Sequence, residues 1–313
     1  MNPRFAAIDI GSNSSLLLIL ELGDDGIARV VIDTKASTRL SSGTHGGAAM
    51  AGEPLARQFT ALDRFAEIIK EKQVESVVAC GTQVFRNASN GREVAAEITR
   101  RYGWEMQIIS GEREAELSYR AASTGLSKIA ERRVVIDVGG GSSEVIFGKG
   151  DQIEWSQSFP IGAVSITDKF GSNLESARSY IEGVLSGLQT AWSKYESTEA
   201  ETEVVAVGGT AATLAAVSLE QKIFNPKTIH GVQLSRIWIE NTISRLNGLE
   251  IAERRELMPF DPDRADIIVA GALIVLIVLE NLKADRVVVS NCGLRWGLIT
   301  TAFPQLRQAR IEQ

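Results

Sequence analysis

The chain has 313 residues, with 33 Lys and Arg against 39 Asp and Glu, a formal charge of −6. Its 44% apolar and 23% charged residues fit a globular protein rather than a disordered one, and at roughly 150 residues per domain the length suggests about two domains. An acidic balance without a basic run argues against general nucleic-acid binding. Cys80 and Cys292 are too few for a disulfide framework, and His45 and His230 alone nearly exclude a His-rich zinc site.

In chain order, Ala7-Ile-Asp9-Ile-Gly11-Ser12-Asn13-Ser14-Ser15 leads into the apolar run 16–20, which Gly and Asp residues close at 23–26. The pattern predicts strand, small-residue turn, strand. Leu55, Phe59, Leu62, Phe65 and Ile69 fall at helical spacing and predict a helix before a strand over 76–80. A second helix follows over Gly91–Tyr102, then a short strand near 106–109. A third helix starts at Ser110, its N-cap, and carries the chain toward the second half.

That half opens with the same pattern. Val135-Ile-Asp137-Val-Gly139-Gly140-Gly141-Ser142-Ser143-Glu144 repeats the first motif, with Asp, Gly, Ser and Ser recurring at one constant offset. Leu174, Ile181, Val184, Leu185, Leu188 and Trp192 predict one long amphipathic helix. A strand over 204–207 precedes the turn Gly208-Gly209-Thr210 and a small-residue helix. Helices over 235–246 and 264–281 and a last strand over 286–290 complete the pattern. The apolar run 267–279 stops at Glu280, short of the roughly 20 residues a bilayer demands, and so reads as a buried helix. Asp9 interrupts the only N-terminal apolar region, so no signal peptide and a cytoplasmic location are expected. Without a long linker the two halves are expected to be close-set around a cleft.

The chemistry-bearing residues admit two readings each. The turns Gly11–Ser14 and 139–143 suit phosphate, since glycine lets N–H groups converge on an anion and hydroxyls add donors; singly, such turns also merely close hairpins. Asp9 and Asp137 end apolar strands, where a carboxylate either forms an Asx-turn or holds a hard cation against phosphate. Glu144 lies across the second hairpin and can approach the same ion as Asp137. Glu112, Glu114 and Glu116 suit the positive end of a helix, and Glu114 shares its face with Leu117 and Ala121, where a general base would sit. Arg86, Arg264 and Arg295 are candidate phosphate clamps or surface ion pairs.

Together these residues resemble the exopolyphosphatase/guanosine pentaphosphate phosphatase (Ppx/GppA) family over nearly the whole chain. The motifs are the two Asp-Gly-Ser turns; the segment from Thr82 to Gly91 with Arg86, Ala88 and Asn90; Ser110-Gly111 with Glu114-Ala115; and Val207-Gly208-Gly209-Thr210. His230-Gly231, Arg264-Ala-Asp266 and Gly293-Leu-Arg295 follow in the same order. The resemblance implies a duplicated α/β fold of the actin-like ATPase class (actin–hexokinase–Hsp70, ribonuclease H-like), with two domains and an interdomain cleft. The first spans 1–122, with about 300–313 packing back on it, and the second 123–313. It further implies Mg²⁺-dependent hydrolysis of a terminal phosphoanhydride of inorganic polyphosphate, with Mn²⁺ as a substitute and guanosine pentaphosphate as the alternative substrate. A sugar or acetate kinase and a non-catalytic alarmone or nucleotide sensor are the competing readings.

In the resemblance, Glu114 activates water, while Asp137, Glu144 and Asp9 attend the metal. Phosphate falls to Gly11, Ser12, Asn13, Ser14, Arg86, Asn90, Gly139, Gly140, Gly141, Ser142 and Ser143. Gly208, Gly209, Thr210, His230 and Arg264 take the substrate or nucleotide side. No nucleic acid or membrane partner is expected, and the resemblance leaves a homodimer open. Two departures stand out. The chain ends at Gln313 without the long helical extension of larger members, which implies a weaker grip on long polyphosphate, and Asn291-Cys292 stands where members often have Asp-Gly.

Overall fold

The computed structural model describes residues 2–126, 130–196, 201–307 and 309–312. It divides into two compact units, one of residues Met1–Gly125 with Leu294–Gln313 and the other of Leu126–Gly293. Gln313, at the end of the expected returning segment, lies outside the described residues.

Unit 1 runs β1 (Arg4–Ile10), β2 (Ser14–Leu22), β3 (Ile27–Ser37), α1 (Gly52–Glu71), β4 (Ser76–Gly81), α2 (Gln83–Asn87), α3 (Gly91–Tyr102), β5 (Glu105–Ile108) and α4 (Gly111–Ala122). Unit 2 runs β6 (Arg132–Val138), β7 (Ser143–Lys149), β8 (Gln152–Phe159), α5 (Ala163–Phe170), α6 (Leu174–Val184), α7 (Leu188–Tyr195), β9 (Thr202–Val207), α8 (Gly208–Ser218) and α9 (Pro226–Ile229). It continues with β10 (Gln233–Ser235), α10 (Arg236–Asn247), α11 (Ile251–Leu257), α12 (Ile268–Asn281) and β11 (Arg286–Val289). The chain then returns to unit 1 with α13 (Leu294–Ala302), α14 (Pro304–Arg307) and β12 (Arg310–Glu312).

The two sheets have one plan. Unit 1 orders its strands β12-β3-β2-β1-β4-β5, and unit 2, written from the other edge, β8-β7-β6-β9-β11-β10. Each therefore holds an antiparallel three-strand meander, β1–β2–β3 or β6–β7–β8, continued by parallel strands, β4–β5 or β9–β11. This is the duplicated α/β architecture that the repeated motif implies. The copies differ at one edge each: β12 pairs with β3 in unit 1, and β10 pairs with β11 in unit 2.

Local sequence explains the elements. The central strands β6, β9 and β11 are valine-rich because both faces are covered. α1 buries the stripe Gln58, Ala61, Leu62, Phe65 and Ile69 against the sheet, as its spacing predicts. α12 is buried along 268–279, which is why its sequence is apolar all round. Among the described residues no helix is long and apolar enough to cross a membrane. The Phe147 ring stacks on Trp155 with centroids 4.5 Å apart and anchors the unit 2 core with Trp192 and Tyr195.

Three expected elements come out differently. The long helix through Leu174 and Trp192 is two helices, α6 and α7, interrupted between Leu185 and Gly187. Gly183, Ser186 and Gly187 lower helix propensity there, while Ile181, Leu185, Leu188 and Trp192 all stay buried in one core, so the apolar period runs on through the break. The helix expected from 264 starts at Ile268, because Pro262–Arg264 forms a separate 3₁₀ turn. β12 follows the strand expected to be last; three residues are too few to show a period.

Candidate active site

Each unit gathers its functional side chains at the carboxyl ends of the parallel strands, the end at which open α/β sheets take ligands. In unit 2 the turn between β6 and β7 is closed by a Gly139 N–H bond to the Ser142 carbonyl at 2.9 Å. None of Gly139, Gly140 and Gly141 adopts a positive φ, so conformational freedom is not what selects glycine here. Close approach selects it at Gly139, where a Cβ would lie 3.0 Å from the Ser142 carbonyl, and at Gly162. A Cβ on Gly162, the N-cap of α5, would lie 2.5 Å from the backbone of Gly140 and Gly141. The first N–H groups of α5, from Ala163, Val164 and Ser165, donate to the carbonyls of Gly139 and Gly140 at 2.8–3.1 Å. In a planar trans peptide the C=O and the next N–H point opposite ways. The N–H groups of Gly140 and Gly141 are thereby aimed away from α5. The Ser143 hydroxyl donates to the Ile161 carbonyl at 2.7 Å and helps to tie the turn down.

Asp137 and Glu144 face each other across this hairpin as direct register partners, so both side chains leave the same face of the sheet. Asp137 is 9% and Glu144 2% exposed. The Ser158 hydroxyl on β8, the register partner of Glu144, donates to Glu144 Oε1 at 2.7 Å. On the other side Asp137 packs on Gly208, the first residue of α8. That residue has φ +81, and a Cβ there would fall 2.5 Å from Asp137 Oδ1. Two buried carboxylates side by side repel one another unless a proton or cation lies with them. Among the described residues no group of three or more His, Cys, Asp or Glu gathers to hold a metal. Asp137 and Glu144 offer two hard oxygen ligands, a set that fits Mg²⁺, an ion that takes one or two carboxylates and completes its shell with water and phosphate.

The other unit 2 candidates lie around α8. The Arg264 guanidinium packs against Gly209 and pairs with Asp261 at 3.4 Å; burial lowers its pKa, against the pull of Asp261 and Asp266. The Thr210 hydroxyl donates to the Val138 carbonyl at 3.3 Å. His230 Nδ1 accepts from the Asn291 N–H at 3.2 Å, and the Cys292 N–H donates to Ser290 Oγ. Asn291-Cys292 thus forms a backbone-held turn after β11, and Gly293 beside it abuts Val207 and Gly208.

In unit 1 the Gly11 N–H closes its turn on the Ser14 carbonyl at 3.0 Å. The turn is held from behind as in unit 2, but by an irregular segment: Ser41 donates to the Ser12 carbonyl, and Thr38 and Arg39 donate to that of Asn13. The N–H groups of Asn13 and Ser14 accordingly face the other way. Asp9 stands opposite Leu16 and beside Cys80 in the register, so no second carboxylate faces it across this hairpin. Burial, then the charges of Asp9 and Glu114, push the Cys80 thiol well up.

Beyond β4, α2 carries Arg86, and beyond β5, α4 carries Glu114. Ser110 caps α4, accepting from the Arg113 N–H. The three glutamates separate as helical geometry predicts. Glu112 is exposed, with its carboxyl lowered by the Ser110 hydroxyl. Glu116 pairs with Arg113 and Arg120. Glu114 is buried and accepts from Arg86 Nη1 at 3.0 Å, while the same Nη1 donates to the Ile109 carbonyl at 2.7 Å. Arg86 Nε and Nη2 make no hydrogen bond among the described residues. Asn90 is occupied otherwise: its amide accepts from Met50 N–H and donates to Met50 C=O, both at 2.8 Å, clamping the segment before α1. Arg295 pairs with Asp33 at 2.9 Å, a structural tie between α13 and β3.

A profile of the Ppx/GppA phosphatase family matches residues 19–306. The chain belongs to the Ppx/GppA phosphatase family. Among Ppx/GppA relatives, an exopolyphosphatase 2 of Mycobacterium tuberculosis is 31% identical over 94% of this chain and 97% of its own length. A guanosine-5′-triphosphate,3′-diphosphate pyrophosphatase of Vibrio vulnificus is 28% identical over 98% of this chain, which spans 61% of that relative's length. Among solved structures, an exopolyphosphatase from Cytophaga hutchinsonii superposes with a TM-score of 0.86 at 26% identity, covering 98% of each chain. The Aquifex aeolicus Ppx/GppA member gives 0.78 at 28% identity, covering 96% of this chain and 98% of that one. Ser158 and the α5 N-terminus escape a sequence reading that stops at each hairpin. Counting back from the Lys149–Gln152 pair would set Gln157 opposite Glu144; a bulge between Phe147 and Gly148 shifts the pairing by one and brings Ser158 there instead.

Proposed function

We propose that this protein removes the terminal phosphate of inorganic polyphosphate by Mg²⁺-dependent hydrolysis of the phosphoanhydride. The observation that carries the reading is the Asp137–Glu144 pair, set on one sheet face beside a turn whose peptide N–H groups are aimed by α5. Asp137 and Glu144 would hold the ion, with Asp9 as a further candidate to attend it. The metal would supply charge neutralisation at the phosphoryl oxygens; Mn²⁺, equally satisfied by oxygen ligands, would substitute.

The chain's own residues account for the remaining work. The Glu114 carboxylate takes the proton of the attacking water as general base. Arg86, holding Glu114 through Nη1, has Nε and Nη2 for phosphoryl oxygens, and a planar guanidinium suits that geometry. The N–H groups of each Gly-Ser turn are donors of the kind that stabilise charge on a transferred phosphoryl group, the larger part of catalysis in phosphoryl transfer. His230, Arg264 and the Gly208-Gly209-Thr210 turn would take the substrate or nucleotide side.

Support for polyphosphate over guanosine pentaphosphate comes from identity, 31% to the exopolyphosphatase 2 against 28% to the guanosine pyrophosphatase. The deciding experiment is phosphate release from long polyphosphate, short polyphosphate, guanosine pentaphosphate and ATP at equal concentration, with and without Mg²⁺. Fastest Mg²⁺-dependent release from polyphosphate is expected; faster release from guanosine pentaphosphate would transfer the assignment to that substrate. Transfer from ATP to an added sugar or acetate would replace hydrolysis altogether.

A further inference from the structure

Across the meander of unit 2 one register row reads Asp137, Glu144, Ser158, on β6, β7 and β8. The corresponding row of unit 1 reads Asp9, Leu16, Lys35, on β1, β2 and β3. The outermost residue changes together with the middle one. Where the middle residue is a carboxylate, the third strand supplies a neutral hydroxyl; where it is leucine, the third strand supplies a lysine. Side chains in one row share a face of the sheet, so this residue decides what Glu144 meets.

We propose that Ser158 is a positioning residue for the metal carboxylate Glu144, an inference that rests on the Mg²⁺ reading above. Its hydroxyl donates to Oε1 at 2.7 Å, an ordinary length for an O–H···O hydrogen bond. The bond fixes the rotation of the carboxyl group about its terminal torsion, which is otherwise broad. It does so without charge. A lysine at 158, the residue that unit 1 carries, would neutralise Glu144 and compete with a divalent cation for the same oxygens. A serine orients the ligand without bringing a charge of its own to it. Metal-ligating carboxylates are commonly held by such outer hydrogen bonds, whose loss costs about 10- to 100-fold in metal affinity or activity. Ser158 lies on an edge strand and is partly exposed, so replacing it leaves the core intact.

The test is Mg²⁺ binding by the full chain without substrate, followed by calorimetric titration and by the rise in Tm with added Mg²⁺. The wild type is compared with Ser158→Ala, Ser158→Thr, Ser158→Lys and Glu144→Gln. Ser158→Ala is expected to weaken Mg²⁺ binding by about tenfold, Ser158→Thr to restore it, and Ser158→Lys to abolish it. In phosphate release, Ser158→Ala should shift the Mg²⁺ concentration for half-maximal rate by a similar factor, with little change in kcat at saturating Mg²⁺. Wild-type binding by Ser158→Ala alongside loss in Glu144→Gln would overturn the positioning role and leave the metal site standing. Unaltered binding in Glu144→Gln, or none in the wild type, would overturn both.

Discussion

The β1–β2 and β6–β7 hairpins share a strand order, a turn closed by the same backbone bond, and carbonyls held from behind by the chain after the third strand. They diverge seven residues past the Asp of each motif. Unit 2 has Glu144 there and unit 1 has Leu16. One copy sets two carboxylates opposite each other across its hairpin, while the other sets a single Asp opposite leucine. The difference teaches that a duplicated turn can diverge at a single position and its neighbour in the row; on the proposed reading, that position is what would make unit 2 the metal-holding copy. The supports differ too: a helix N-terminus braces the unit 2 turn, an irregular segment the unit 1 turn.

The largest expected effect breaks that asymmetry at the carboxylates. Asp137→Asn or Glu144→Gln should lower phosphate release by about 10³-fold and remove its Mg²⁺ dependence, whereas Asp9→Asn should cost far less. Equal losses at Asp9 and Asp137 would show the two hairpins to be functionally alike. Next comes the unit 1 base. Glu114→Ala should reduce kcat by about 10²-fold or more while KM stays near wild type; unchanged turnover would remove Glu114 from the mechanism. The supports can be separated by stability. Gly162→Ala pushes a methyl into the Gly140–Gly141 backbone and should cost about 1–3 kcal/mol, read as a lower denaturation midpoint. Ser41→Ala, which keeps its backbone donor to Ser12, should change that midpoint little.

The smallest effect concerns Cys80. Its thiol is buried and its pKa raised, so the native protein at pH 8 should resist iodoacetamide while the denatured chain reacts. Because the folded value lies above the unfolded one, the native thiol keeps a proton that the unfolded thiol releases. This contribution is therefore complete below the unfolded value and declines as pH rises beyond it. Rapid native labelling would contradict the burial.

Much of this was legible in the residues themselves. The repeated Asp-Gly-Ser motif, the hairpin polarity after each turn and the helical spacing of Leu62, Phe65 and Ile69 all arise from interactions a few residues apart, where period and turn chemistry act directly. The approach of Glu144 to Asp137 was legible too, since a short hairpin fixes its own register. Local pattern misled where tertiary burial overrode it: the apolar period runs unbroken from α6 to α7 although the backbone does not, because both helices pack on one core.

What the sequence alone determined is the inventory: two copies of one α/β plan, two small-residue turns, and carboxylates at strand ends. Only the tertiary structure decided the partners. It set Ser158 on Glu144, Arg86 on Glu114 and Asn90 on Met50. The reason is physical. Periodicity records which face of an element is buried, whereas a hydrogen bond between strands or helices far apart in the chain depends on where each element finally packs, and nothing in either segment read by itself specifies that.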